Sequence, residues 1–207
     1  MPVSDALVVV NDWVSEFYFT SDESSGTFLA AVKSAVKQWE TDEADDPQHR
    51  SPLSRVTAER QRLLSQLIAL HSQANELGEQ ASPAQRREAL GTASEDAAAA
   101  WRTVLGYDDL PQTGTAPLRR FTPGGMQEPW VAVVDAVATD TAEELTSKTT
   151  GLLTKPYQPE EADGQPDGDP VTTVPGMLSA LVSEPVPPRL MLVLAGRLAL
   201  LTSEEGW

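Results

Sequence analysis

The chain has 207 residues, enough for one large domain or two small ones, and its five Trp argue against wholesale disorder. It carries no Cys, which excludes disulfides, thiolate metal sites and cysteine nucleophiles. Its formal net charge is -16, and that acidity works against a broad phosphate-binding surface.

Ala6–Val10 reads as a short buried strand or the extended entry to a helix. Asn11-Asp12 follows as a turn, then an aromatic cluster of Trp13, Phe17, Tyr18 and Phe19 at helical spacing. After the break at Ser24-Ser25-Gly26, the apolar residues Phe28, Val32, Val36 and Trp39 form one face of an amphipathic helix. The acidic run from Thr41 to Pro47 is expected to end it as a solvated loop. Ser51-Pro52 opens a helix that runs to about Leu77, with Gly78 as its stop and Arg55 pairing Glu59 at i,i+4. Ser82-Pro83 starts another helix, which Gly91 is expected to divide. Ser94 then caps an Ala-rich segment from Glu95 to Leu105.

Beyond Tyr107 the period changes from helix to strand. Leu118–Phe121 and Trp130–Val137 read as strands, the second apolar and β-branched. Thr141 to Leu153 is expected to be a helix opened by a capping box of Thr141 and Glu144. Residues 156–175 are an acidic, Gly/Pro-rich connection, and Met177–Val182 a short helix. Arg189–Ala195 and Leu198–Leu201 are strands joined by a tight turn at Gly196. The expected architecture is α/β, with α+β as the variant. A mainly helical portion (1–110) precedes a small mixed sheet with one or two helices (111–207), the two packing as one N-terminal domain of a longer protein. The abrupt end at Glu205-Gly206-Trp207 reads as the edge of such a piece. No segment is apolar over the roughly 20 residues of a membrane helix, and Met1–Asp5 lacks the basic stretch of a signal peptide. The expectation is a cytoplasmic protein with no membrane partner.

The residues offer few chemical constellations. His49 reads as a loop residue and His71 as a satisfied helix histidine, with no second His or Cys to complete a metal site or triad. The acidic runs 42–46 and 160–169 lack the ligand spacing of a calcium loop. Thr122-Pro123-Gly124-Gly125 is a turn without the Lys-Ser/Thr of a phosphate loop. The exception is Asp135, a carboxylate inside an apolar strand, where an unpaired charge is expensive. Alternation places Val133, Asp135 and Val137 on one face. Either that face is partly solvated at a sheet edge, or Asp135 is the metal-binding acid of a nuclease-like sheet.

The stretch Asn11-Asp12-Trp13-Val14-Ser15-Glu16-Phe17-Tyr18-Phe19, the helices, Leu105-Gly106-Tyr107, Val133–Ala138 and Pro188–Leu201 together resemble the N-terminal region of large adenine-specific DNA methyltransferases. Those enzymes serve bacterial restriction–modification and phage-defence systems of the BREX and DISARM type. The resemblance implies a scaffold, partner-docking or DNA-positioning domain. Its partners would be the rest of the methyltransferase chain, DNA or other defence proteins. It also implies a degenerate PD-(D/E)XK nuclease-like fold, with Asp135 at the Glu position, Val137 at the Lys position and Asp108 or Asp109 as the upstream acid. A valine cannot activate water, so an inactive site is expected and no metal. The Gly-rich cofactor loop and the Asn-Pro-Pro-Tyr type motif are absent here, so S-adenosylmethionine is expected only for the parent protein.

The arginines cluster in one region. Residues 51–120 hold eight acids and eight bases, every base an Arg. Residues 1–50 hold ten acids and three bases, and 121–207 thirteen and four. Arg55, Arg62, Arg86, Arg87, Arg119 and Arg120 are therefore the candidate phosphate contacts. Two alternatives stand beside the methyltransferase reading: an independent acidic interaction module that mimics DNA, and an active metal-dependent nuclease domain.

Overall fold

A computed structural model describes residues 27–46, 50–78, 81–125, 128–159 and 169–203. The expected elements before Thr27, His49, the acidic run 160–168 and the last four residues lie outside them. The chain forms two compact units, Met1–Thr57 and Ala58–Trp207.

In the first unit, helix α1 (Phe28–Asp45) starts at Thr27, whose side chain accepts from the Ala30 N–H. The helix runs through most of the acidic stretch expected to end it. Glu43 explains why an acid is favoured there. Its carboxylate receives the Ser51 N–H at 2.7 Å and the Ser54 hydroxyl at 2.9 Å, at the N-terminal turn of the next helix, where unpaired N–H groups attract negative charge.

Helix α2 spans Pro52–Leu77, and Gly78 follows it with φ of 73°. Helix α3 (Pro83–Leu105) has a full capping box between Ser82 and Gln85, and ends at Gly106 in the left-handed conformation. Gly91 does not divide it and Ser94 does not cap a new segment. Both lie on a face of small residues with Ala97 and Ala98 that lets the helix approach neighbouring backbone. The buried Ser94 hydroxyl accepts the Ala138 N–H at 3.1 Å. Ser94→Ala keeps the volume but strands that N–H, so a loss of about 1–3 kcal/mol is expected, measured by chemical denaturation.

A single turn (Tyr107–Asp109) leads to five strands: β1 (Gln112–Thr113), β2 (Leu118–Phe121), β3 (Val131–Asp135), β4 (Leu190–Ala195) and β5 (Leu198–Ser203). They form one mixed sheet in chain order, with β3 and β4 parallel and the other neighbours antiparallel. This is the expected α/β class, helices followed by a mixed sheet. The parallel pair requires a crossover, supplied by α4 (Ala142–Leu145), an irregular stretch and α5 (Val174–Val182). The helix expected from Thr141 to Leu153 stops after one turn. Ser147 accepts from the N–H groups of Thr149 and Thr150 through its hydroxyl, a local alternative to helical pairing.

Register assigns the two faces of the sheet. Leu118, Ala132, Val134, Met191 and Val193 share one face and cluster with Val174, Met177, Leu178 and Leu181 of α5. Phe121, Val131, Val133, Leu192 and Leu194 share the other and cluster with Ala98 and Trp101 of α3. The strand β3 is therefore central, and all five of its residues are buried. This overturns the expectation that the Asp135 face is a partly solvated edge.

Candidate functional site

Asp135 ends β3 on the α3 face with no exposed surface. Arg102, in the last turn of α3, donates from Nη1 to Asp135 Oδ1 at 2.6 Å. Arg119, on β2, donates from Nη1 to Oδ2. Arg119 shares this face because it is paired with Val133, two residues before Asp135. The Arg102 side chain is 6% exposed and that of Arg119 is 20% exposed. The Asp135 backbone is also fixed: its N–H donates to Pro117 O at 2.7 Å, and its carbonyl accepts from the Thr154 N–H at 3.2 Å.

Electrostatics describe a costly but closed arrangement. Burial raises the Asp135 carboxyl above the usual Asp value, opposed by Arg102 and Arg119. Burial likewise lowers the Arg102 guanidinium, opposed by Asp135. In both groups desolvation outweighs the pairing. Each carboxylate oxygen accepts a charge-assisted hydrogen bond, and neither is presented to solvent. A metal ion at Asp135 would have to displace a guanidinium.

The residues that the nuclease pattern would add lie elsewhere. Val137 is fully buried and joins the cluster on the α5 side, because strand alternation ends at Asp135. Asp108 and Asp109 are exposed on the turn after α3, and Asp108 accepts the Thr103 hydroxyl at 2.6 Å. Among the described residues no group of three or more His, Cys, Asp or Glu could hold a metal ion.

Of the six arginines expected to face phosphate, Arg86, Arg87, Arg119 and Arg120 are engaged inside the chain. Arg86 pairs with Glu144 at 2.6 Å, and the same carboxylate accepts the Thr139 hydroxyl. Glu144 thus serves Arg86 rather than closing the expected reciprocal box with Thr141, whose hydroxyl accepts the Glu144 N–H. Arg87 donates to the carbonyls of Leu153 at 3.1 Å and Gly151 at 3.0 Å, tying α3 to the crossover. Arg120 pairs with Glu184 beyond α5. Arg62 is exposed and meets Glu59 at 3.3 Å, the i,i+3 partner of that acid. Arg55 is half-buried.

Sequence reasoning singled out Asp135 and Arg119 separately and missed Arg102. A signal was present: Ser94, Ala98 and Arg102 fall at i, i+4, i+8, one stripe of α3. A cation ending a stripe of small buried residues needs a buried acid.

A separate cleft of about 550 Å³ opens between the second half of α2, the start of α3 and the β4–β5 turn. Leu67, Ile68 and Leu90 supply apolar walls, and His71, Glu144 and Arg197 are polar at its margin. Its polar groups serve one another: Asn75 lies 3.1 Å from His71 Nε2, and Arg197 pairs with Asp140 at 2.8 Å. Among the described residues no helix is long and apolar enough to cross a membrane. Comparison with protein-family models, with curated proteins and with solved structures found no match for this chain.

Proposed function

We propose that this chain is a non-catalytic N-terminal domain of an S-adenosylmethionine-dependent, adenine-specific DNA methyltransferase of a phage-defence or restriction–modification system, working in the cytoplasm as a scaffold or partner-docking element. The family assignment rests on the resemblance drawn above from Asn11–Phe19, Leu105–Tyr107, Val133–Ala138 and Pro188–Leu201. The observation that favours a non-catalytic role is the occupation of Asp135: the one carboxylate placed like a catalytic acid is shut in with Arg102 and Arg119. The engaged arginines favour protein docking over DNA positioning. Its partner is then the remainder of the methyltransferase chain, and S-adenosylmethionine belongs to that part.

The test has two arms. Incubation of the full chain with duplex DNA and magnesium or manganese is expected to give no cleavage. DNA binding at physiological salt is expected to be weaker than about 100 μM, the weak end of non-specific binding. Supplied in trans to a methyltransferase of this class lacking its N-terminal region, the chain is expected to restore adenine methylation. Cleavage that Asp135→Ala abolishes would establish the nuclease reading instead. Failure to restore methylation, with salt-sensitive capture of a basic DNA-binding protein, would favour the acidic interaction module, which the excess of acids in residues 1–50 and 121–207 motivates.

A further inference from the structure

Asp135 is one acid shared by two arginines, so Arg102, Arg119 and Asp135 together carry an uncompensated positive charge. Two other acids act on this cluster, and neither closes it. Glu95 is tied to Lys155 at 3.0 Å. Asp108 acts on Arg102 by charge alone, while its carboxylate accepts the Thr103 hydroxyl at 2.6 Å.

Most of the arginine donors are also unused. A guanidinium offers five N–H donors. Arg102 and Arg119 each engage Asp135 through Nη1, and among the described residues their Nε and Nη2 groups meet no acceptor. The Arg102 side chain is only 6% exposed, so sealing those nitrogens would be costly. They are not sealed. Among the described residues Gln66 Oε1 is the one fully covered side-chain atom without a partner. The free nitrogens of both arginines therefore reach solvent beside the carboxylate they share.

The two side chains are already ordered. Arg102 stands on the last turn of α3 and Arg119 on β2, and Asp135 holds each by a charge-assisted hydrogen bond. Little side-chain entropy is then lost when a ligand arrives. Guanidinium forks match the oxygens of phosphate. Burial lowers the Arg102 guanidinium and the Arg119 charge adds to the lowering, so a second anion offsets both.

We propose that Arg102 and Arg119, oriented by Asp135, bind a small phosphate group, as inorganic phosphate or a phosphate monoester. The chain's charge of -16 sets the size of the ligand. A single phosphate touches the guanidiniums directly, and its repulsion from acids farther than about 8 Å is screened at physiological salt. A nucleic-acid backbone would lay many phosphates along the acidic surface. Asp135 is here a positioning residue, which acts through the arginines. This inference does not depend on the methyltransferase reading.

Titration of the full chain, labelled with nitrogen-15 at arginine, tests it at an ionic strength held constant with chloride. Inorganic phosphate is expected to shift two arginine Nε–H signals saturably, with Kd of about 1 mM. The two signals are those of Arg102 and Arg119, assigned as the ones lost in Arg102→Lys and in Arg119→Lys. Phenyl phosphate is expected to shift the same two, and duplex DNA at equal phosphate concentration neither. Arg119→Gln should weaken phosphate binding at least about tenfold, and Arg119→Lys less, since it keeps the charge but not the fork. Arg62→Gln, on the exposed face of α2, should leave it unchanged. Should Arg119→Gln disturb the fold, the wild-type signals decide. Shifts that never saturate, saturable shifts only at other arginines, unchanged affinity in folded Arg119→Gln, or duplex DNA shifting the same signals more readily than phosphate would each overturn the proposal.

Discussion

Asp135→Leu is expected to destabilise the protein by about 3–5 kcal/mol, because it leaves Arg102 buried without its counter-charge. In a 150-residue unit (58–207) that corresponds to a fall in Tm of roughly 6–20 °C. The double variant Asp135→Leu/Arg102→Met should recover most of this loss. It removes both deeply buried charges, and Arg119, already 20% exposed, can turn to solvent. Apolar replacement of a buried ion pair is often neutral or stabilising. A double-mutant cycle by chemical denaturation measures the coupling. Additive losses in the double variant would mean that Arg102 and Asp135 do not act as a pair.

Phe121→Ala is expected to cost about 3–5 kcal/mol, the range for truncating a fully buried aromatic ring. Phe121 has no exposed surface and stacks on Tyr107 with centroids 4.9 Å apart and planes at 27°. It belongs to the cluster on the face that holds Asp135. Phe121→Leu keeps most of the volume and should cost less than about 1.5 kcal/mol. Tyr107 gives a second readout. Burial raises its phenol above the ordinary value, so the fold holds that proton more tightly than the unfolded chain does. Its contribution to stability is present below about pH 10 and is lost as pH rises through the folded value. In Phe121→Ala the ring is partly uncovered, and its ultraviolet titration should move back toward the ordinary value. Wild-type titration of Tyr107 in Phe121→Ala would show that the stack does not shield it.

The sequence carried the element order well, because the signals were local. Ser82-Pro83 marked a helix start, Gly78 marked a helix stop, and Gly196 joined two apolar runs into a hairpin. It misled where a side chain serves a distant element. Ser94 looks like a helix cap but holds the Ala138 N–H, and Glu43 looks like loop but caps a helix. The expected 141–153 helix failed because helical periodicity there competes with hydroxyl pairing around Ser147. The candidate site was half legible. A carboxylate in an apolar strand signalled that something must neutralise Asp135. Which cation does so, and whether β3 is an edge, depend on contacts across 33 and 16 residues that no local pattern encodes.

The central claim is that Asp135 is committed to Arg102 and Arg119 and is closed to metal. A thermal-shift titration of the full chain with manganese tests it most directly. Ligands that bind only the folded state raise Tm with concentration. The account predicts that any manganese-induced shift, from surface acids alone, is the same in a background where Asp135→Leu/Arg102→Met has removed the pair. A saturable rise in wild type that the double variant abolishes, with manganese-dependent DNA cleavage lost alongside it, would contradict the account.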